Sequence, residues 1–175
     1  MKKYWIKIAG CVLTPIMILL VVLSMVDLHT DGIVVRDAWY VIRPNDMVTY
    51  RIDIYGASNA VGTQVQLTRD VDGANQAFGI IYTGDGQYMI KYGDQGLCIA
   101  VASDKHTVVI QGYDEANEYN KWNITRIGTT QSYLFTNVAT GNSIFYEVSA
   151  ESGIYKLFVK EYDETDGSFG FILVR

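Results

Sequence analysis

Beyond about residue 38 the chain is a succession of short runs in which apolar and polar positions alternate. Tyr50, Ile52 and Ile54 alternate with Arg51, Asp53 and Tyr55, and Val65 and Leu67 alternate with Gln64, Gln66 and Thr68. That is the period of a half-buried strand, whose successive side chains point to opposite faces. Turn residues separate the runs: Gly62, Asp72-Gly73 and Gly84-Asp85-Gly86, then Gly93 to Gly96 and Gly112 to Asn117, then Thr140-Gly141-Asn142 and Asp166-Gly167. No stretch after residue 30 has helical periodicity, so the pattern predicts short strands joined by tight turns.

The runs recur. Tyr40-Val41-Ile42, Tyr88-Met89-Ile90 and Tyr133-Leu134-Phe135 each open a unit, at spacings of 48 and 45 residues. Asn75-Gln76-Ala77-Phe78, Asn120-Lys121-Trp122 and Gly167-Ser168-Phe169 each close one, with closing aromatics 44 and 47 residues apart. A near-constant period of this size means repeated supersecondary units sharing one core. With about four strands per unit, the expected fold is all-β: a β-trefoil of three four-stranded units, closed by pseudo-threefold symmetry so that no long sheet edge is left open. Phe78, Trp122 and Phe169 are expected in the core near the threefold axis.

The amino-terminal part is of another kind. Lys2, Lys3 and Lys7 precede Ile8 to Val26, a run of 19 residues without a charge that ends at Asp27. A helix of roughly 20 apolar residues crosses a bilayer, and the basic flank belongs on the cytoplasmic side. The expected organisation is a signal-anchor or transmembrane helix over 1–26, a polar connector over 27–38 and the folded domain over 39–175 outside the cytoplasm. The run is long for a secretory signal and lacks an Ala-x-Ala-like exit. An uncleaved anchor is therefore the first reading, with cleavage and secretion as the alternative.

Composition narrows the chemistry. The formal net charge of −5 argues against a nucleic-acid partner. Of the two cysteines, Cys11 lies in the apolar run and Cys98 stands alone in the domain within Leu97-Cys98-Ile99-Ala100-Val101, read as a small packed side chain. His29 falls in the connector and His106 in a turn after Asp104-Lys105. Neither belongs to a nucleophile or metal-ligand motif, and no phosphate-cradling glycine loop or Gly-x-Ser-x-Gly elbow is present. The Asp114-Glu115 and Asp163-Glu164 pairs fall in turns and read as a solvated acidic rim. The expectation is a non-enzyme without cofactor or metal, its stability resting on an aromatic core drawn from 13 Tyr, 6 Phe and 3 Trp.

The first unit is the best preserved. Ile52-Asp53-Ile54, Val65-Gln66-Leu67 and Asn75-Gln76-Ala77-Phe78, in that order, resemble a repeat of the ricin B-type β-trefoil lectin family, and the likeness covers about residues 39–175. The Asp53 strand is similar to the family's sugar-binding Asp strand, and Asn75 to Phe78 resembles its closing Asn-Gln-x-Trp with Phe for Trp. The resemblance implies a carbohydrate-binding module, galactose-like glycans being the ligand class, with Asp53, Gln66, Thr68, Asn75 and Gln76 at the site positions. Chemistry supports those residue types, because vicinal hydroxyls both donate and accept, so a carboxylate beside amides satisfies them. On the residues alone, Asp53 also reads as a solvated strand residue, and Asn75 and Gln76 as groups that hold the turn.

One position departs from the family. Thr68 stands where the family places an aromatic platform for the sugar ring, and stacking adds apolar area that hydrogen bonds exchanged with water do not. Tyr55, Tyr82 and the Arg69 guanidinium are the candidates to replace it. In the second unit Ala100 takes the position of Asp53, so that unit reads as structural. In the third, Glu147 is read at the carboxylate position with Phe158 or Tyr162 as platform, but the amides are missing. Asp53 and Glu147, in different units, are expected too far apart for a glycosidase dyad. Three functions remain: a weak sugar-binding module with its site in the first unit, a degenerate trefoil docking a protein, and an adhesin subunit of a toxin-like assembly.

Overall fold

The structure is a computed structural model that describes residues 34–150 and 152–175, so the anchor expected over 1–26 and most of the connector lie outside the described residues. Twelve strands follow one another: β1 (Ala38–Pro44), β2 (Tyr50–Ile54), β3 (Val65–Arg69), β4 (Ala77–Gly84), β5 (Gln87–Tyr92), β6 (Leu97–Val101), β7 (Val108–Gly112), β8 (Trp122–Arg126), β9 (Ser132–Asn137), β10 (Ser143–Val148), β11 (Tyr155–Lys160) and β12 (Phe171–Val174). Three single turns of 3-10 helix, Ala74–Gln76, Glu118–Asn120 and Gly167–Phe169, precede β4, β8 and β12.

The pairing closes a ring. β1, β4, β5, β8, β9 and β12 pair antiparallel in that order, and β12 returns to β1, making a six-stranded barrel. The other six strands form three hairpins, β2–β3, β6–β7 and β10–β11. These cap one end and touch one another in a cycle: Gln64 bridges Val109, Thr107 bridges Phe158, and Lys156 pairs with Gln66. The cycle fixes which residues are equivalent. Gln64, Thr107 and Lys156 occupy one position in the three units, and Gln66, Val109 and Phe158 another.

The openers of the units are equivalent as the sequence predicts, since Tyr40, Tyr88 and Tyr133 lie opposite Phe78, Trp122 and Phe171 respectively. The third closing aromatic is therefore Phe171, not Phe169. Both are buried, but Phe169 ends its 3-10 turn, the place held by Gln76 and Asn120 in the other units. Phe78, Trp122 and Phe171 are each fully buried. Trp122 also donates its indole N–H to the Ile99 carbonyl at 2.9 Å, so its polar edge is satisfied inside the core. Ile42, Ile80, Ile90, Ile124 and Phe135 complete the barrel interior, and Cys98 is fully buried in β6.

Candidate functional site

In the first unit Asp53 and Gln66 face each other across β2 and β3. The 3-10 turn at Ala74–Gln76 brings two more amides to the same carboxylate. Gln66 Nε2 donates to Asp53 Oδ1 at 3.2 Å, and Asn75 Nδ2 and Gln76 Nε2 donate to Oδ2 at 2.8 and 3.2 Å. Four of the five predicted site residues thus meet at one carboxylate that is only 4 % exposed. Thr68 joins through Gln76, whose Nε2 donates to Thr68 Oγ1 at 2.9 Å.

The members differ in what they have left to offer. Gln76 is fully buried and bonded at both ends, its Nε2 also to the Arg69 carbonyl and its Oε1 accepting from Val71 N–H. It ties the 3-10 turn to β3 and has nothing to give a ligand. Asn75 is half-buried, and its Nδ2 also donates to the Ile54 carbonyl at 3.2 Å. Asp53 accepts three internal hydrogen bonds against a capacity of about four. Gln66 has the most in reserve: one amide hydrogen is used and its Oε1 takes no hydrogen bond among the described residues.

Gly73 makes the arrangement possible. In the second and third units the residue before the 3-10 turn is Asn117 or Asp166, whose side chain caps the turn by accepting from Tyr119 N–H or Ser168 N–H. In the first unit that residue is Gly73, in ordinary extended backbone, and a Cβ there would collide with Asn75 Oδ1. The missing side chain is thus what leaves room for Asn75 to turn toward Asp53.

Beside this cluster an open cleft of about 390 Å³ is lined by residues of both the β2–β3 and the β10–β11 hairpins. Gln66 lies in both the cluster and the cleft wall. Tyr55, 61 % exposed, Thr63, Gln64, Ser152, Ile154 and Lys156 complete the lining. Among the proposed replacements for the missing platform only Tyr55 lines this cleft. Tyr82 packs edge-on against Tyr88 at 5.4 Å in the barrel wall, with its hydroxyl accepting from Gly86 N–H. The cluster also reaches into the core: burial first, and then the nearby Asp53 charge, push the Tyr92 phenol above its ordinary value.

The other units have replaced the cluster. In the second, Ala100 lies opposite Val109, so the carboxylate and its amide partner have both become aliphatic, as expected for Ala100. In the third, Phe145 lies opposite Phe158, so Phe145, not Glu147, is the equivalent of Asp53. The spacing from the opening tyrosines carries the signal, since Asp53, Ala100 and Phe145 follow Tyr40, Tyr88 and Tyr133 by 13, 12 and 12 residues. Phe145 packs on Phe158 and Phe169 with centroids 6.0 and 5.8 Å away, an aromatic copy of the Asp53–Gln66–Gln76 contacts. Lys160, at the position of Thr68, lies 4.3 Å from the Phe145 centroid and bonds Asp166 at 2.9 Å. His106 stacks on Phe158 at 4.8 Å, and Tyr162 stands edge-on to Phe169 at 5.3 Å. Glu147 lies opposite Lys156, which lies opposite Gln66, itself opposite Asp53. The two residues sit three strand steps apart, about 14 Å between their backbones.

The comparisons with known proteins agree with this architecture. Residues 74–153 match the family model described as ricin-type beta-trefoil lectin domain-like. The match takes in Asn75 and Gln76 but not Asp53, Gln66 or Thr68. No curated protein matches the chain in sequence. Among solved structures, the designed threefold-symmetric protein ThreeFoil is similar with a TM-score of 0.70 at 18 % identity, covering 78 % of this chain and 98 % of that one. The Polyporus squamosus lectin, bound to the human-type influenza-binding epitope Neu5Acα2-6Galβ1-4GlcNAc, has a TM-score of 0.64 at 16 % identity over 78 % of this chain and 48 % of its own, so this chain spans about half of that lectin's length. The earthworm lectin C-terminal domain mutant in complex with 6'-sialyllactose has a TM-score of 0.56 at 16 % identity over 77 % and 96 %. Residues 74–153 are ricin-type β-trefoil lectin domain-like in sequence, and the domain that contains them is a β-trefoil.

Proposed function

We propose that this chain is an extracytoplasmic carbohydrate-binding module with a single weak sugar site in its first unit. One observation carries the reading: of three equivalent positions, only the first keeps a carboxylate ringed by amides, while the others hold Ala100 with Val109 and Phe145 with Phe158. The cluster lies next to an open cleft with an exposed aromatic ring, Tyr55, the combination a sugar needs: fixed polar groups beside a flat apolar face. The lectin neighbours solved with bound glycans support a carbohydrate partner. The uncharged run over 8–26 behind Lys2, Lys3 and Lys7 supports a membrane tether with the trefoil outside.

In this reading Asp53 organises the site more than it contacts the ligand. Its oxygens orient Gln66 and Asn75, and the Gln66 amide, Asn75 Oδ1 and the Tyr55 ring meet the sugar. A galactose-like monosaccharide held by so few groups binds at about millimolar, so adhesion relies on many copies or a multivalent glycan. The occupied state of Asp53 and the missing platform at Thr68 favour a second reading, a trefoil that docks a protein.

A glycan array probed with the full-length chain separates the two. Binding to galactose-bearing glycans that Asn75→Ala weakens supports the sugar site. A blank array gives the protein-docking reading precedence.

A further inference from the structure

Lys156 places a positive charge in an unexpected position. It lies on β11 opposite Gln66, two strand steps from Asp53, and it is the single charged residue among the described lining of the cleft between the first and third hairpins. No carboxylate of the described residues comes within 4 Å of its ammonium, in a chain whose formal net charge is −5. Glu147, its cross-strand neighbour on β10, is exposed and does not line the cleft. Gln66 is nine-tenths buried, lines the same cleft and keeps an acceptor oxygen without a partner among the described residues.

From this we infer that the cleft is a second subsite, continuous with the first-unit site, for a carboxylate-bearing sugar residue of an oligosaccharide. Lys156 binds the carboxylate, Ile154 covers the apolar face of that ring, and Gln66 and Tyr55 are shared between the two subsites. Asp53 and Lys156 are about 10 Å apart as two strand steps, which lets two linked rings occupy cluster and cleft together. The acidic ring falls on the Lys156 side because the Asp53 charge repels it from the other. The Ser152 hydroxyl on the cleft wall suits a remaining polar group of such a ring. The inference rests on the sugar-binding reading above and specifies its ligand class.

The test titrates the full-length chain with sialyllactose and with lactose, which differ in the acidic residue, at low and high salt. Sialyllactose is expected to bind at least about tenfold more tightly at low salt, the gain of one charge-assisted hydrogen bond, and the advantage should shrink at high salt. Lys156→Met should bring the affinity for sialyllactose toward that for lactose, removing the preference, and Lys156→Arg should keep most of it. Equal affinity for the two sugars, or a preference that survives Lys156→Met, overturns the acidic subsite and leaves the neutral site standing. Failure of both sugars to bind overturns both.

Discussion

Asp53→Ala should destabilise the domain before it says anything about sugar. The carboxylate accepts from three amides. Without it, Asn75 keeps the Ile54 carbonyl, and Gln76 keeps Thr68 and Arg69. Gln66 Nε2 keeps nothing among the described residues, although its residue is only 8 % exposed. Losing its hydrogen bond to a charged acceptor costs about 1.5–3 kcal/mol. The partial loss at Gln76 and the small void bring the total to about 2–4 kcal/mol. The second unit shows a way to remove the cost, because there Ala100 faces Val109. Replacing both partners by apolar groups leaves nothing unsatisfied between them. The double variant Asp53→Ala/Gln66→Val should therefore recover at least about half of the loss, a coupling on the scale seen for residues in contact. Urea denaturation of the wild type, the two single variants and the double variant measures it, with an unchanged urea slope as the check that the unfolded state is the same. Strict additivity, or a cost for Asp53→Ala below about 0.5 kcal/mol, a size typical of surface changes, would refute the account of Asp53 as the organiser of this cluster.

Trp122→Ala should cost at least about 3–5 kcal/mol, because it opens a large cavity and orphans the Ile99 carbonyl. Trp122→Phe, which makes the unit like those of Phe78 and Phe171, should cost less than half of that in the same denaturation assay. Gly73→Ala should rotate Asn75 away from Asp53 at a cost of no more than about 1–2 kcal/mol, yet weaken sugar binding as strongly as Asn75→Ala; a titration beside a melting curve separates the two effects. Burial pushes the Cys98 thiol up to about 12, so Cys98 in the native protein should resist alkylation at pH 8, as read by mass spectrometry of its peptide, and react only on unfolding. Hydrogen bonds from Ser168, then the Lys160 ammonium, lower the Asp166 carboxyl from 3.8 to about 2. Its folded value is the lower one, so its contribution to stability is present above pH 4 and lost as the pH falls toward 2. Asp166→Asn should flatten that part of the curve of melting temperature against pH.

Much of this was legible in the sequence because strand alternation and a repeat are local signals. The three opening tyrosines and the closing Phe78 and Trp122 occupy equivalent places in the barrel. The third unit departs from its sequence pattern for a physical reason. Phe169 is aromatic and buried, but it does the work of Gln76 in an aromatic version of the cluster, and the closing core residue, Phe171, lies one strand entry later. Glu147 carries the charge, but the spacing from Tyr133 points to Phe145. Other features depend on contacts between units and leave no mark on a single run of residues. The clearance that Gly73 gives Asn75 is visible only once the 3-10 turn is built. Lys156 reaches the first unit only through the pairing of β11 with β3.

The central claim is that the amides around Asp53 form the sugar site and that the equivalent positions of the other units do not. Side-chain amide signals in a nitrogen-labelled sample report on it directly as lactose is added to the full-length chain. The account predicts that the Gln66 and Asn75 amide signals move and saturate at about millimolar sugar, while those of Gln111 and Asn120 in the second unit stay in place. Movement of the second-unit amides instead, or stationary Gln66 and Asn75 signals at saturating lactose, would contradict it.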